Sequence, residues 1–379
     1  MKRVLVLIHT PTFGGPHNQV LSLNKALLRM EIEQIVVLPK ESQDSYKRLK
    51  DGGVNVTRQK IRRLRRPSLI ANNIGYFIFF WKDVLLIKRL IKTYKIDLVQ
   101  ICGLMHIHGA IAANISRKKI VWQLLSSTFV PRPLRDLYCF FVKILADSVM
   151  VVGQNTLLQH PFHKSFRSVV NFFPPVDETL FKRDLVLRET IRKLLKISNN
   201  EVVIGTVGNH VKPKAHQRII DLVDPLLEKN SNLQFVIAGK YDQSHSDYYS
   251  REVFSRYKKL KFQEKLTFTD DFEVYEILQA FDVFLLSSET EGLPTVVLEA
   301  ICCGLPIIST NVGSIREAVN SENGIIVPNY DHKQMMAAIE KLTNNEKKRG
   351  LLAEGSMKMK KIFYLENCIL KHCEAYGNS

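Results

Sequence analysis

The sequence has no hydrophobic run long enough to cross a membrane as a helix. Its most apolar stretch, Leu69 to Ile91, is broken by Asn72, Asn73, Lys82, Asp83, Lys88 and Arg89. The longest segment free of such residues, Ile74 to Trp81, falls far short of the ~20 residues a span needs. A place at a membrane surface stays open. No CxxC pair exists among Cys102, Cys139, Cys302, Cys303, Cys368 and Cys373, and Met1-Lys2-Arg3 runs straight into the strand-like Val4-Leu5-Val6-Leu7-Ile8. That start does not read as a secretory signal, so six reduced thiols in a cytoplasmic protein are expected. Glycine (18) and proline (14) are too sparse in 379 residues for a fibrous or low-complexity chain. No segment repeats at a solenoid period.

Acidic residues are scarce in one half. The net charge of +17 comes from 54 Lys+Arg and 37 Asp+Glu, but residues 1–172 hold 27 basic side chains against 9 acidic, and residues 173–379 hold 27 against 28. The whole excess therefore sits in the first half. A field of one sign draws polyanions: nucleic acid, anionic lipid or phosphorylated substrates. No zinc-ligand pattern, basic heptad or RNP-like aromatic motif accompanies it, so a nucleic-acid partner is not expected.

The hydrophobic content of 45% and the length suit two globular domains. The opening KRVLVLIHT reads as a buried parallel strand, Gly14-Gly15 as a loop, and about His17 to Met30 as a helix with Val20, Leu23, Leu27 and Met30 on one face. A strand from Gln34 to Leu38 follows, then strands at Ile96–Cys102, Ile120–Leu125 and Ser148–Val152 separated by helical stretches. The pattern breaks at Phe172-Phe173-Pro174-Pro175-Val176-Asp177, where two prolines force extended backbone. A second series runs Val202–Val207, Gln234–Ala238, Leu266–Phe268, Val283–Leu286, Pro306–Ser309 and Ile325–Val327. Alternation of this kind predicts α/β architecture with two Rossmann-like, doubly wound parallel sheets whose strand ends meet a central cleft.

The segment from Ser287 to Ala300 carries the most chemistry. After the strand Val283–Leu286 come Glu291, Gly292 and Pro294, then a short helix stopped by Gly304. Pro294 suits a first turn, because its missing N–H is not needed there. Free amides and the positive end of a helix make a seat for a diphosphate. Glu291 before the helix and Glu299 eight residues on, inside it, can each accept from sugar hydroxyls. A cap and a solvated face are the plainer alternative for two glutamates.

The motif S-x-x-E-G-x-P-x-x-x-L-E-A, Ser288 to Ala300, resembles the E-x7-E signature of retaining glycosyltransferases of family 4, which have the GT-B fold. The resemblance extends along the chain. Gly14-Gly15 looks like the family's glycine loop, Phe173 to Phe181 its linker, Ala280 to Phe284 its A-D-V strand entry, Cys303 to Thr310 its C-G-x-P strand, and Val312 to Glu317 the turn after it. It implies a retaining transferase moving a hexose or N-acetylhexosamine from a nucleotide-diphosphate sugar to a lipid-linked or polysaccharide-precursor glycan. On that resemblance Glu291 orients the sugar, Glu299 holds the ribose, and the backbone of Gly292, Leu293, Thr295 and Val296, with Gly14 and Gly15, binds the donor. Val207-Gly208-Asn209-His210-Val211-Lys212-Pro213-Lys214 looks like V-G-R-x-x-x-x-K, which puts Lys214 on the departing diphosphate. Domains are expected at 1–172 (acceptor- and membrane-facing), 173–355 (donor-binding) and 356–379, a helix returning to the first.

Two departures stand out. The family's arginine is Asn209, leaving Lys212, or His210 if protonated, to supply charge. The family's histidine after the strand Ile120–Leu125 is replaced by Ser126-Ser127, with His106 and His108 nearby on a helix as structural residues. These losses leave a non-catalytic GT-B subunit, partnering an active transferase, as the alternative. No D-x-D motif is present, Asp270-Asp271 reads as a strand-end turn, and the resemblance implies no cofactor and no essential metal. Finally Arg58, Lys60, Arg62, Arg63, Arg65 and Arg66 precede Tyr76-Phe77-Ile78-Phe79-Phe80-Trp81 and then Lys82, Lys88, Arg89 and Lys92. Such a cluster, with Phe79 and Trp81 exposed, would hold the protein peripherally on an anionic cytoplasmic membrane face. A core helix beside a solvated loop is the other reading, and the resemblance favours the membrane.

Overall fold

The computed structural model describes residues 1–63, 70–125, 132–241, 246–328 and 331–377, with side chains omitted for 70–73. The chain forms two compact units, Met1–Pro175 with Leu365–Ser379, and Val176–Tyr364.

The first unit is built on seven strands, β1 (Lys2–Ile8), β2 (Ile32–Pro39), β3 (Asn55–Gln59), β4 (Leu98–Cys102), β5 (Lys119–Leu124), β6 (Ser148–Val152) and β7 (Val169–Phe172), in the order β3-β2-β1-β4-β5-β6-β7. All their pairings are parallel. Both faces of such a sheet are covered, so β1 is apolar without alternation and Val4 to Ile8 are all buried. The chain winds from β1 out to β3, then crosses back to β4 beside β1. The loops leaving β1 and β4 diverge at this switch point, and the helix Gly15–Arg29 begins there.

The helix Leu365–Tyr376 closes the first unit through a buried chain of polar groups. His372 gives its Nδ1 hydrogen to the Cys368 carbonyl at 2.8 Å, so its Nε2 accepts from the Gln19 amide at 2.9 Å. Gln19 accepts from Gln123 (2.9 Å), Gln123 accepts from Gln100 (3.3 Å) and from the Cys102 thiol (3.2 Å), and Gln100 accepts from the Tyr376 hydroxyl. Every donor in the run has an acceptor, which is the condition for burying amides without loss.

The second unit carries β8 (Val202–Val207), β9 (Leu233–Ala238), β10 (Leu266–Thr269), β11 (Val283–Leu286), β12 (Ile307–Thr310) and β13 (Gly324–Val327), in the order β10-β9-β8-β11-β12-β13 and again all parallel. Its switch point lies between β8 and β11. The unit boundaries fall after Pro175 and Tyr364 rather than at 172/173 and 355/356. Val176 pairs with Tyr364 and donates to the Phe363 carbonyl, and the helix Glu346–Met359 is fastened to this unit by the Ser356 hydroxyl on the Leu305 carbonyl at 2.7 Å. Residues 356–364 therefore stay with the second unit, and only the last helix joins the first.

Candidate active site

In open parallel sheets ligands gather where the winding reverses, because the loops there turn opposite ways and leave a crevice. In the second unit the loops in question follow β8 and β11. The first carries Lys214 at the end of a 3-10 turn, Lys212–Lys214, and the second carries Glu291. The Lys214 Nζ donates to Glu291 Oε1 at 2.7 Å, and the Ser288 hydroxyl donates to the same oxygen at 2.9 Å. Both charged groups are mostly buried. The lysine stem lies over Gly208, where even a Cβ would stand 3.1 Å from its Cε.

The loop after β11 is braced from several sides. Arg218 donates to the Ser287 carbonyl at 3.0 Å and pairs with Glu289 at 3.3 Å, Ser287 donates to the Lys214 carbonyl at 2.9 Å, and Thr310 donates to the Ser288 carbonyl at 2.8 Å. Gly313, at φ 52, is pressed against the turn: a Cβ there would lie 1.9 Å from the Gly292 oxygen, which accepts from Ser314 N at 2.7 Å. Ser288 opens the motif read from the sequence, whereas Arg218 and Thr310 were not legible as site residues, since only the neighbouring of elements distant in sequence brings them here.

Beyond the loop, Pro294 caps the helix Thr295–Cys302 without a side-chain bond or an acidic residue in its first turn. The amides of Gly292, Leu293, Thr295 and Val296 have no acceptor among the described residues. Four donors and the positive helix end thus lie beside the ammonium. Inside this helix Glu299 is only 7% exposed, and its carboxylate has no hydrogen-bond donor or ion pair among the described residues. Burial pushes its pKa up to about 7, against the pull of Lys214. Glu299 is therefore a mostly buried carboxylate with no protein donor among the described residues, neither the helix cap nor the solvated face that two isolated glutamates suggest.

The remaining expected residues divide. Asn209 is exposed on the loop after β8. Lys212 is exposed too, whereas His210 is buried, and burial lowers its pKa. Gly14 and Gly15 lie in the first unit, where Gly14 caps the helix Gly15–Arg29 at the switch point. No neighbour closer than 4.0 Å would meet a Cβ at either glycine, so internal packing does not explain them. His106 and His108 are buried, and His108 stacks on Phe80 at 5.2 Å. Asp271 turns back on Thr269 after β10. Arg65, Arg66, Ser126 and Ser127 lie outside the described residues.

Arg62 and Arg63, expected on an open basic face, are engaged within the first unit. Arg62 pairs with the buried Asp83 at 2.5 Å and covers Phe79 at 4.0 Å, while Arg63 pairs with Glu41 at 3.3 Å. The aromatic helices have two faces: Tyr76, Val84, Ile87, Leu90 and Ile91 are buried, while the other side is open. Phe77 is 68% exposed and Trp81 64%, with Ile74, Ile78, Phe79 and Leu85 also open. No helix among the described residues is long and apolar enough to cross a membrane.

Residues 188–359 match the family model for glycosyl transferases group 1. Over 293 residues the chain is 24% identical to an uncharacterized glycosyltransferase of Haemophilus influenzae, covering 75% of this chain and 77% of that one. Over 194 residues it is 29% identical to the capsular polysaccharide biosynthesis glycosyltransferase CapM of Staphylococcus aureus, about half of each chain (51% and 49%). The crystal structure of Anabaena HepE in complex with UDP superposes with a TM-score of 0.83 at 16% identity, over 100% of both chains. The fold is GT-B. Together the match and the fold support a glycosyltransferase.

Proposed function

We propose that the protein is a retaining glycosyltransferase that moves a hexose or N-acetylhexosamine from a nucleotide-diphosphate sugar to a hydroxyl of a lipid-linked or polysaccharide-precursor glycan. The observation that carries this reading is the Lys214–Glu291 pair at 2.7 Å beside four uncommitted amides. A departing nucleoside diphosphate gains negative charge as the sugar–oxygen bond breaks. A fixed ammonium and oriented N–H groups stabilise that charge without reorganising. In this reading Glu291 orients the sugar, and Glu299, buried and without a donor, takes the ribose hydroxyls. Positive charge from Lys214 and the helix end fills the role a metal would have, so no resident metal is required.

The anomeric carbon exchanges its phosphate oxygen for the acceptor oxygen on the same face. The acceptor's proton passes to the leaving phosphate oxygen, which becomes the only base the step needs. Gly14 and Gly15 stand at a helix start where packing does not require glycine, although the Gly14 amide and carbonyl are already bonded to His17 and Asn18. A polysaccharide-precursor acceptor accords with CapM, named for capsular polysaccharide biosynthesis, and a uridine nucleotide with HepE, solved with UDP. Turnover of a nucleotide-diphosphate sugar by the wild type, lost in Glu291→Ala, tests the reading.

The same reading places the first unit on the cytoplasmic face of a membrane. Phe77, Ile78 and Trp81 are exposed beside Lys82, Lys88 and Arg89, all of them exposed as well, and apolar insertion and anionic lipid then act together. Because Arg62 neutralises Asp83, the test leaves it alone. Phe77→Ser with Trp81→Ser is expected to reduce sedimentation with phosphatidylglycerol vesicles about tenfold or more with an unchanged melting temperature. Undiminished sedimentation contradicts the placement.

A further inference from the structure

The loop that carries Lys214 is closed by two groups the donor chemistry does not use. Between β8 and the helix Gln217–Leu227, a histidine stands on either side of the lysine. The Nδ1 atoms of His210 and His216 are 3.1 Å apart, with ring centroids 5.0 Å apart and ring planes at 79°. Both rings are buried, at 4% and 1% exposure. Burial lowers both pKa values, with Lys214 adding to the effect at His216 and Asp270 opposing it at His210. Tyr249 and Phe268 pack on His210 from the far side. Two neutral rings at this distance share one hydrogen: one Nδ1 donates and the other accepts.

After the 3-10 turn, Ala215 is fully buried in the left-handed region at φ 52, a conformation that non-glycine residues rarely adopt. Ser287 holds the Lys214 carbonyl and Glu289 N holds the Pro213 carbonyl, both from the strand β11 side. Within the segment Lys214 N donates to the Val211 carbonyl at 2.9 Å and Ala215 N to the Lys212 carbonyl at 3.0 Å, and the histidine pair joins its two ends through side chains. Lysine has a long flexible stem, so where its ammonium stands depends on where the backbone turn is fixed.

We propose that the His210–His216 hydrogen bond is a staple that positions Lys214, making both histidines positioning residues for the diphosphate site. The inference rests on the proposed role of Lys214. It explains why two polar rings are buried at the two ends of one seven-residue segment, 210–216.

The test is a double-mutant cycle read by titration with UDP, GDP and ADP in parallel, with melting temperatures recorded for each variant. His216→Ala is expected to weaken the best-bound nucleotide about tenfold in the wild type, since a misplacement near 1 Å is enough for such losses. In Lys214→Ala the same change is expected to have less than about a twofold effect, because the group it positions is gone. His216→Asn, whose amide sits about where Nδ1 does, should recover most of the affinity. Equal weakening in both backgrounds, or none in His216→Ala, overturns the staple. If Lys214→Ala binds all three nucleotides as the wild type does, the role given to Lys214 falls, and the staple with it. Nitrogen-15 spectra of the intact protein add a reading independent of variants: one protonated and one bare Nδ1 are expected, and two bare Nδ1 atoms contradict the bond.

Discussion

Lys214→Ala and Glu291→Gln are expected to lower turnover alike, by about 10²–10³, but to move nucleotide affinity in opposite directions. Without a ligand the two charges satisfy each other at 2.7 Å. An arriving diphosphate competes with Glu291 for the ammonium and meets the carboxylate's own repulsion. Removing the ammonium should therefore weaken nucleoside diphosphate binding by about tenfold or more, on the scale of a lost charge-assisted bond. Removing the carboxylate charge should tighten it several-fold while the sugar loses its orienting group. Isothermal titration with UDP, GDP and ADP, alongside turnover, separates these effects. Parallel weakening in both variants would mean that the pair is only an ion pair of the fold.

Glu299→Gln is expected to stabilise the protein in a pH-dependent way and to weaken nucleotide binding. Burial raises the Glu299 pKa from 4.5 to about 7, so the folded state holds a proton that the unfolded state gives up. Stability from this group is complete below about pH 4.5 and falls as pH rises, reaching its full loss above about pH 7. The shift corresponds to an upper value of about 3 kcal/mol. The glutamine variant escapes that loss, so its melting temperature should exceed the wild type's at pH 8 and match it near pH 4.5. Ribose hydroxyls donated to the carboxylate favour its charged form. Nucleotide binding near pH 7 should then release a fraction of a proton in the wild type and none in Glu299→Gln. Titration in two buffers of different ionisation enthalpy reads this directly. A melting-temperature difference independent of pH would remove Glu299 from this role.

Much of this was legible in the amino-acid order. The strands β6, β8 and β11 fall where apolar runs bounded by turns place them, since buried parallel strands write themselves as continuous Val, Ile and Leu. Two strands were missed. β3, Asn55–Gln59, lies at a sheet edge and is polar enough to read as loop, and β7, Val169–Phe172, is a four-residue strand running into the Pro174-Pro175 break. The E-x7-E block announced its own loop and helix, because glycine and proline mark local backbone. What stayed hidden depends on distance in sequence. Arg218 across the strand ends and Thr310 on the Ser288 carbonyl are set by which strands are neighbours, and a sheet wound in two directions does not show that order in its residues. Asp83 is the clearest case, since nothing local marks it as the reason Arg62 is not a surface charge.

The central claim, that this site turns over a nucleotide-diphosphate sugar, is tested most directly by donor hydrolysis. Thermal shift against UDP-, GDP-, ADP- and CMP-sugars identifies the donor, since a ligand that binds only the folded state raises the melting temperature by mass action. Release of the free sugar from that donor is then followed for the wild type and for Glu291→Ala. Measurable turnover in the wild type, reduced about a hundredfold or more in the variant, is the predicted result. Nucleotide binding without turnover in the wild type would contradict it and leave a non-catalytic subunit that partners an active transferase.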